Sequence, residues 1–198
     1  ISECLVGSEM CIRDRCILLY IHLTIQGGKK MKNVKKMTYA AVLTALAIVI
    51  PLAFGFLKIQ LGPFTATLAS HVPLFVAMLL GPASAVMVGL GSTLGFLVST
   101  PLVVAARAFM HTFVGLIGAI LIKKGMPFKK VIAITAPIHG ALEAIAVIPF
   151  GFTLYKILVA VGIGSILHHL VDGIIAFALV KALSKTLNIK LVPTVSSK

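Results

Sequence analysis

Long apolar segments separated by short joints constrain the fold of this chain more than any other feature. An α-helix needs about 20 apolar residues to cross a hydrocarbon layer of about 30 Å, and stretches near that length follow one another from residue 37 to residue 183. Of the 198 residues, 59% are hydrophobic and only 12% are charged. The sequence therefore predicts an all-α integral membrane protein rather than a soluble domain.

Six segments fit a membrane span by their length and by the residues that separate them. Prolines occupy the joints, where a missing amide donor does least harm to a helix. The second and third segments are short and nearly contiguous, which predicts a tight helical hairpin. The predicted spans are residues 37–54, 65–80, 82–99, 102–122, 130–148 and 154–183.

The distribution of lysine predicts the orientation of these spans. Lysines cluster before the first span, between the fourth and fifth, and after the sixth, whereas two other joints carry only Lys58 and Lys156. The positive-inside rule then places both termini in the cytoplasm. The net charge of +13 is accounted for by topology and contact with lipid headgroups. We expect no nucleic-acid partner, because there is no basic soluble domain.

Residues 1–30 differ in composition from the rest of the chain. They hold all three cysteines and three of the five acidic residues. The stretch LVGSEMCIRDR resembles a translated sequencing adapter, and Gly27–Lys30 can be encoded by a ribosome-binding site ahead of Met31. We expect residues 1–30 to be a non-native segment and residues 31–198 to form one membrane domain. A genuine amphipathic N-terminal extension is the alternative.

Ionisable residues within the spans are the strongest functional signal. Each costs roughly 2.5 to 3.5 kcal/mol to insert into a bilayer, so each needs a partner or a purpose. Three pairs at i,i+4 spacing share a helical face. These pairs are Arg107 with His111, His139 with Glu143, and His168 with Asp172.

Depth below the helix ends divides these groups into two predicted sites. Arg107, Glu143 and His71 are expected in the outer leaflet, with His111 and His139 nearer the midplane. The helix 6 residues His168, His169 and Asp172 are expected to form a separate inner polar knot. Within it, the pair of His168 and Asp172 would hold helices together. For the outer cluster, one interpretation is a pocket in which Arg107 binds a carboxylate and histidines meet a ring nitrogen. The other is an Arg107–Glu143 ion pair that only ties helices 4 and 5 together.

Catalytic and metal motifs are weak in this sequence. HGALE, which begins at His139, is not the HExxH zinc motif, and no cysteine or second closely spaced acid accompanies it. No recognisable protease dyad or triad accompanies the spans, and GLGSTLG has no nucleotide-loop lysine. We expect no metal, no cofactor and no enzymatic activity.

Small residues recur at four-residue spacing, which allows close helix packing in lipid. Gly91 and Gly95 are expected to pack within the chain. Ala41 and Ala45, in AAVLTA, match the AxxxA pattern of the substrate-binding S components of energy-coupling factor (ECF) vitamin transporters. The stretch GPFTATLASHVPLFVAMLLGPASAVMVGLGSTLGFL, followed by ARAFMHTFVGLIGA, resembles the niacin-type members of that family.

The resemblance implies a vitamin-capture subunit of the bacterial cytoplasmic membrane. Through Ala41 and Ala45 it would dock on a transmembrane coupling protein, and two ATPases bound to that protein would supply the energy. The vitamin would bind near the outer surface, beneath the loop between helices 1 and 2. For niacin, the resemblance implies Arg107 for the carboxylate, histidines for the ring nitrogen, and an aromatic lid. The expected binding residues are Arg107, His111, His139, Glu143, His71, Tyr155, Phe64 and Lys58.

Two alternatives remain open at the level of sequence. The chain can belong to the same transporters and carry another vitamin or precursor, such as pantothenate, a queuosine precursor or a pyrimidine. It can also be a membrane-embedded enzyme or scaffold that uses its polar residues for the fold alone.

Overall fold

The computed structural model describes residues 34–61 and 64–186. The expectation for residues 1–30 lies outside this part of the chain. The chain forms two compact units, Ile1–Tyr39 and Ala40–Lys198. In the first unit the described residues, 34–39, are helical and exposed. The site and packing discussed below belong to the second unit.

The described residues are mostly helical, which confirms the predicted class of membrane protein. Helices of sufficient length and apolarity to cross a membrane number five in this part of the chain. They are α1 (Val34–Ala53), α3 (Pro82–Ser99), α4 (Leu102–Lys123), α5 (Phe128–Ala146, with a following 3-10 turn to Phe150) and α6 (Gly164–Thr186), which continues a π-helical segment, Lys156–Ile163. The predicted bounds of helix 3 are confirmed, and those of helices 4 and 5 agree within one turn.

The prediction of a second span beginning near Thr65 is wrong. Lys58–Leu61 (β1) pairs antiparallel with Phe64–Thr67 (β2), and the helix α2 covers only Val72–Leu80. Nine residues rise about 14 Å, roughly half of a hydrocarbon layer. An apolar composition alone does not separate a buried strand from a helix, so the sequence predicts most of strand β2 as the start of the helix. Six spans and cytoplasmic termini therefore stay predictions.

The short helix α2 lies at the centre of the bundle. It contacts α3, α4 and α6, and Leu74, Phe75 and Met78 are almost completely buried. A helix that is apolar on every side is stable only when it is enclosed in this way. Its first residue follows His71, so the N-terminus of α2 carries an imidazole into the interior of the protein.

Small residues bring α1 and α3 close together, as predicted for Gly91 and Gly95. A methyl group at Gly91 would lie 2.6 Å from Thr44 Cγ2, and one at Gly95 would lie 2.6 Å from the Ile48 carbonyl oxygen. The chain connects α2 to α3 through Gly81 alone, which confirms the tight hairpin. The side of α1 that holds Ala41 and Ala45 is exposed.

Candidate functional site

A cluster of imidazoles occupies the centre of the bundle. The ring of His71, just before α2, lies 4.4 Å from the ring of His111, and 4.7 Å from the rings of His139 and His168, between centroids. The His169 ring is 5.7 Å away. Four elements supply these side chains: the turn before α2, α4, α5 and α6. Every histidine in the described part of the chain therefore belongs to one buried cluster.

The predicted division into an outer cluster and a separate inner knot is wrong. His71 Nδ1 lies 2.9 Å from Asp172 Oδ2, which joins the two groups into one network. The predicted depth of His71 assumed that helix 2 spans the whole membrane. Because the hairpin takes up residues 58–67, α2 starts inside the bundle instead, and His71 reaches the level of Asp172.

Asp172 organises the turn that leads into α2. Its carboxylate accepts hydrogen bonds from the backbone N–H groups of Ala69 at 2.8 Å and His71 at 2.9 Å. Ala69 has a φ of 67°, a left-handed conformation that is costly for a residue with a side chain. The predicted pairing of His168 with Asp172 is also present, at 3.2 Å. A carboxylate at this position holds a strained turn in place and sits favourably at the helix N-terminus.

Arg107 and Glu143 form a buried ion pair, one of the two arrangements that the sequence left open. Arg107 Nη2 lies 2.7 Å and Nε lies 3.0 Å from Glu143 Oε2, and both side chains are about 5% exposed or less. Ser165 donates a hydrogen bond to the same carboxylate oxygen. The pair therefore joins α4 to α5 and α6, and its charges balance each other in a place that water hardly reaches.

Thr65 on strand β2 covers the outer edge of the same guanidinium. Arg107 Nη1 donates to Thr65 Oγ1 at 3.2 Å, and Nη2 donates to the Thr65 carbonyl oxygen at 3.2 Å. Two oxygens that accept from Nη1 and Nη2 occupy the positions that a bidentate carboxylate takes on an arginine. The Phe64 ring lies 5.5 Å from Arg107 Cζ, which adds a cation–π contact.

Two cavities meet at Thr65. The inner cavity, of about 20 Å³, is lined by Thr65, Arg107, His111 and other cluster residues. A water molecule needs about 10 to 15 Å³, so this cavity has room for one water or ion and not for a pyridine ring. A second cavity, of about 410 Å³, is lined by Thr65, Lys58, Lys156 and neighbouring residues. Thr65 therefore lies in the walls of both a small polar cavity and a larger cavity that two lysines line.

Comparison with known proteins decides the family. The chain is 36% identical over 173 residues to a protein named niacin transporter NiaX from Lactococcus lactis subsp. cremoris (strain MG1363), and the match covers 79% of this chain and 78% of that relative. This chain belongs to the niacin-type (NiaX) family of ECF S components. No protein-family model matches it, and no solved structure matches it significantly.

For this member of the NiaX family, the structure brings most of the predicted site residues together. Arg107, His111, His139, Glu143 and His71 are in the cluster. Phe64 lies over Arg107 and is 8% exposed, and Lys58 lines the larger cavity. Tyr155 is 72% exposed at the start of the π-helical segment, and the structure does not bring it to the cluster.

Four further residues complete the polar network of this family member, and sequence reasoning missed them. Ser92 Oγ lies 3.0 Å from His111 Nδ1, and Thr135 Oγ1 lies 3.0 Å from His169 Nε2. Thr65 and Ser165 contact Arg107 and Glu143. Serine and threonine are common in membrane helices, where they usually bond to their own backbone. Only the positions of their long-range partners distinguish these four from the others.

Proposed function

We propose that this chain is the substrate-capture subunit of an ECF-type importer in the bacterial cytoplasmic membrane, and that it binds nicotinate at Arg107. The observation that carries the proposal is the buried guanidinium whose Nη1 and Nη2 atoms meet the two oxygens of Thr65. The relative's name, niacin transporter, supports a pyridine carboxylate as the ligand.

Nicotinate can bind Arg107 by exchanging one pair of acceptor oxygens for another. The nicotinate carboxylate replaces Thr65 Oγ1 and the Thr65 carbonyl oxygen, so the two N–H groups that Thr65 accepts from keep an acceptor. The oxygens of Thr65 are neutral, whereas a carboxylate brings a full negative charge and two parallel bonds to the guanidinium fork, which favours the exchange. The ring nitrogen then meets His139 Nδ1, which has no hydrogen-bond partner among the described residues and can donate or accept according to tautomer.

Binding requires the hairpin to move, because the inner cavity of about 20 Å³ does not hold the vitamin. When β2 withdraws from Arg107, the inner cavity joins the cavity of about 410 Å³ beside it. Lys58 and Lys156 line that larger cavity and attract an anion toward the site. Phe64, carried on the same strand, supplies an aromatic surface for the bound ring.

Docking on the coupling protein falls to the exposed face of α1. Ala41 and Ala45 lie there with no side chain beyond a methyl group, and close backbone approach in lipid depends on such residues. The adjacent side of α1, which holds Thr44 and Ile48, packs against Gly91 and Gly95 of α3. We assign to Ala41 and Ala45 the contact with the coupling protein, whose two ATPases supply the energy of transport.

Binding to the purified protein tests the ligand. Radiolabelled nicotinate is expected to bind, with no competition from pantothenate, a queuosine precursor or a pyrimidine at the same concentration. Nicotinamide, which lacks the charge, is expected to compete weakly. Binding of one of the other compounds in place of nicotinate would assign the chain to that vitamin instead.

A substitution at Arg107 tests the site, and its design follows from the ion pair. Arg107→Ala leaves Glu143 buried without a partner, which costs about 3 to 5 kcal/mol, so loss of binding would be confused with loss of fold. Arg107→Lys keeps the charge and removes the fork of donors. We expect nicotinate affinity to fall at least about tenfold, which corresponds to about 1.4 kcal/mol. The variant should stay folded with a lowered melting temperature, because lysine makes fewer hydrogen bonds to Glu143 and Thr65 than arginine does.

Unchanged affinity in Arg107→Lys would show that the carboxylate binds elsewhere. Failure of wild-type protein to bind any of the tested compounds, together with collapse of the fold in Arg107→Lys, would favour the scaffold interpretation.

A further inference from the structure

Three imidazole nitrogens converge on one point inside the cluster. His71, His111 and His139 each offer one ring nitrogen, and these three atoms lie within 4.8 Å of one another. His71 Nε2 and His139 Nε2 are 3.4 Å apart. Two nitrogens bound tetrahedrally to zinc, each about 2.0 to 2.1 Å from the metal, are themselves separated by about 3.3 Å. The His71–His139 separation therefore matches one edge of such a site.

A carboxylate oxygen supplies a fourth donor. Glu143 Oε1 lies 3.2 Å from His139 Nε2 and 3.7 Å from His111 Nε2. The contacts of Glu143 with Arg107 and Ser165 are made by the other oxygen, Oε2. Oε1 is thus directed to the imidazoles, while Oε2 is held by the ion pair.

Neighbouring side chains orient two of the imidazoles. His71 Nδ1 lies 2.9 Å from a carboxylate oxygen of Asp172, and His111 Nδ1 lies 3.0 Å from Ser92 Oγ. Histidines that bind metals usually donate from the second ring nitrogen to a carboxylate or another polar group, which fixes the tautomer. The arrangement leaves His71 Nε2 facing His139, and His111 Nε2 facing Glu143.

The space and the charge of the cluster suit one cation. His71, His111 and Glu143 line the cavity of about 20 Å³, which has room for a single ion. Arg107 carries one positive charge, and Glu143 and Asp172 carry one negative charge each, so with neutral imidazoles the charges sum to minus one. A buried net charge is costly unless it is compensated. A divalent cation changes the sum to plus one, which a monovalent carboxylate ligand neutralises.

We propose that His71, His111, His139 and Glu143 bind one divalent transition-metal ion of the zinc type. Imidazole nitrogen is a ligand that zinc, cobalt and nickel accept readily. The ion adds positive charge next to Arg107. Resting on the proposed function, we further assign to it the role of strengthening the binding of the nicotinate carboxylate.

Cobalt is the probe, because tetrahedral Co²⁺ absorbs visible light whereas zinc does not. The full chain is purified without a polyhistidine tag, stripped of metal with a chelator and titrated with Co²⁺. We expect one equivalent to bind with the intense spectrum of tetrahedral nitrogen and oxygen coordination, and Zn²⁺ to displace it. The melting temperature should rise with Co²⁺ and return on addition of chelator, since the ion binds only the folded chain.

Variants locate the site. His139→Gln is expected to weaken Co²⁺ binding by roughly a hundredfold or more, because even indirect partners of a ligand are worth about 10- to 100-fold. His169→Gln is the matched control. His169 is equally buried, its ring lies 5.1 Å from that of His139, and it bonds to Thr135 rather than to the proposed donors. The control should bind Co²⁺ as the wild type does.

Three results would overturn the ion site: no stoichiometric Co²⁺ in the wild type, a Co²⁺ spectrum that is not tetrahedral, or unchanged Co²⁺ affinity in His139→Gln. If His139→Gln does not fold, the spectrum and the reversible rise in melting temperature of the wild type decide. Nicotinate binding is measured separately on stripped and loaded protein. Nicotinate binding without any Co²⁺ spectrum rejects the ion alone, whereas a Co²⁺ spectrum without nicotinate binding rejects the proposed function alone.

Discussion

Replacing Thr65 with valine tests whether this residue stands in for the ligand. Valine keeps the β-branched shape that suits strand β2 and removes only the oxygen that accepts from Arg107 Nη1. The hydrogen bond is 3.2 Å long, at the weak end of the N–H···O range. We therefore assign it about 1 kcal/mol. Because the bond exists only before nicotinate enters, its loss penalises the free state alone.

The expected result is tighter binding together with a less stable free protein. A loss of about 1 kcal/mol from the free state corresponds to roughly fivefold higher affinity for nicotinate. Isothermal titration calorimetry measures the affinity, and thermal unfolding without ligand should show the matching decrease in stability. The Thr65 carbonyl oxygen still accepts from Arg107 Nη2, so strand β2 still contacts the guanidinium in the variant.

Thr67→Val is the matched control for this experiment. Thr67 lies on the same strand and is more deeply buried than Thr65, but its contact with the cluster is made by its carbonyl oxygen, 3.1 Å from His168 Nε2. Valine preserves that carbonyl, so nicotinate affinity should stay at the wild-type value. Weaker binding in Thr65→Val would refute the reasoning, because it would mean that the hydroxyl contacts the ligand instead of being replaced by it.

Two further predictions concern the turn before α2 and the exposed face of α1. Asp172→Asn should lower the free energy of unfolding by at least about 2 kcal/mol, because the charged acceptor of the backbone N–H groups of Ala69 and His71 is lost. Thermal or denaturant unfolding measures this change, and unchanged stability would show that the turn does not depend on the carboxylate. Ala41→Leu combined with Ala45→Leu should abolish nicotinate uptake in cells that contain the coupling protein, while binding by the purified subunit is unchanged. Leu46→Phe, which adds bulk on a different exposed side of α1, is the control, and retained uptake in the double variant would place the docking surface elsewhere.

The sequence was informative wherever helical geometry carried the argument. Arg107 and Glu143 were predicted to lie at one depth, close enough to meet, because each is about six residues from the outer end of its helix at a rise of about 1.5 Å per residue. The bounds of α3 followed equally well from Pro82, which begins it, and from the joint at Pro101 that follows.

The predictions failed where the sequence fits both the periodicity of a helix and that of a strand. Residues 65–68 read TATL, which is compatible with a helix or a strand, and the choice determined how deep α2 begins. The contact between Asp172 and the Ala69 turn depends on that depth and joins residues 103 positions apart. No local pattern encodes such a contact, so the union of the two polar clusters appears only in the folded chain.

The carbonyl oxygen of Thr65 affects which anions Arg107 accepts, and a different side chain at this position would not remove that oxygen. Half of the contact that covers Arg107 is made by main chain, which mutation cannot delete. An incoming anion must supply two acceptors at once, or it leaves one N–H bare in a dry environment. Chloride, a single spherical charge, does not meet that condition, whereas a planar carboxylate does. We therefore expect chloride to compete poorly with nicotinate at Arg107.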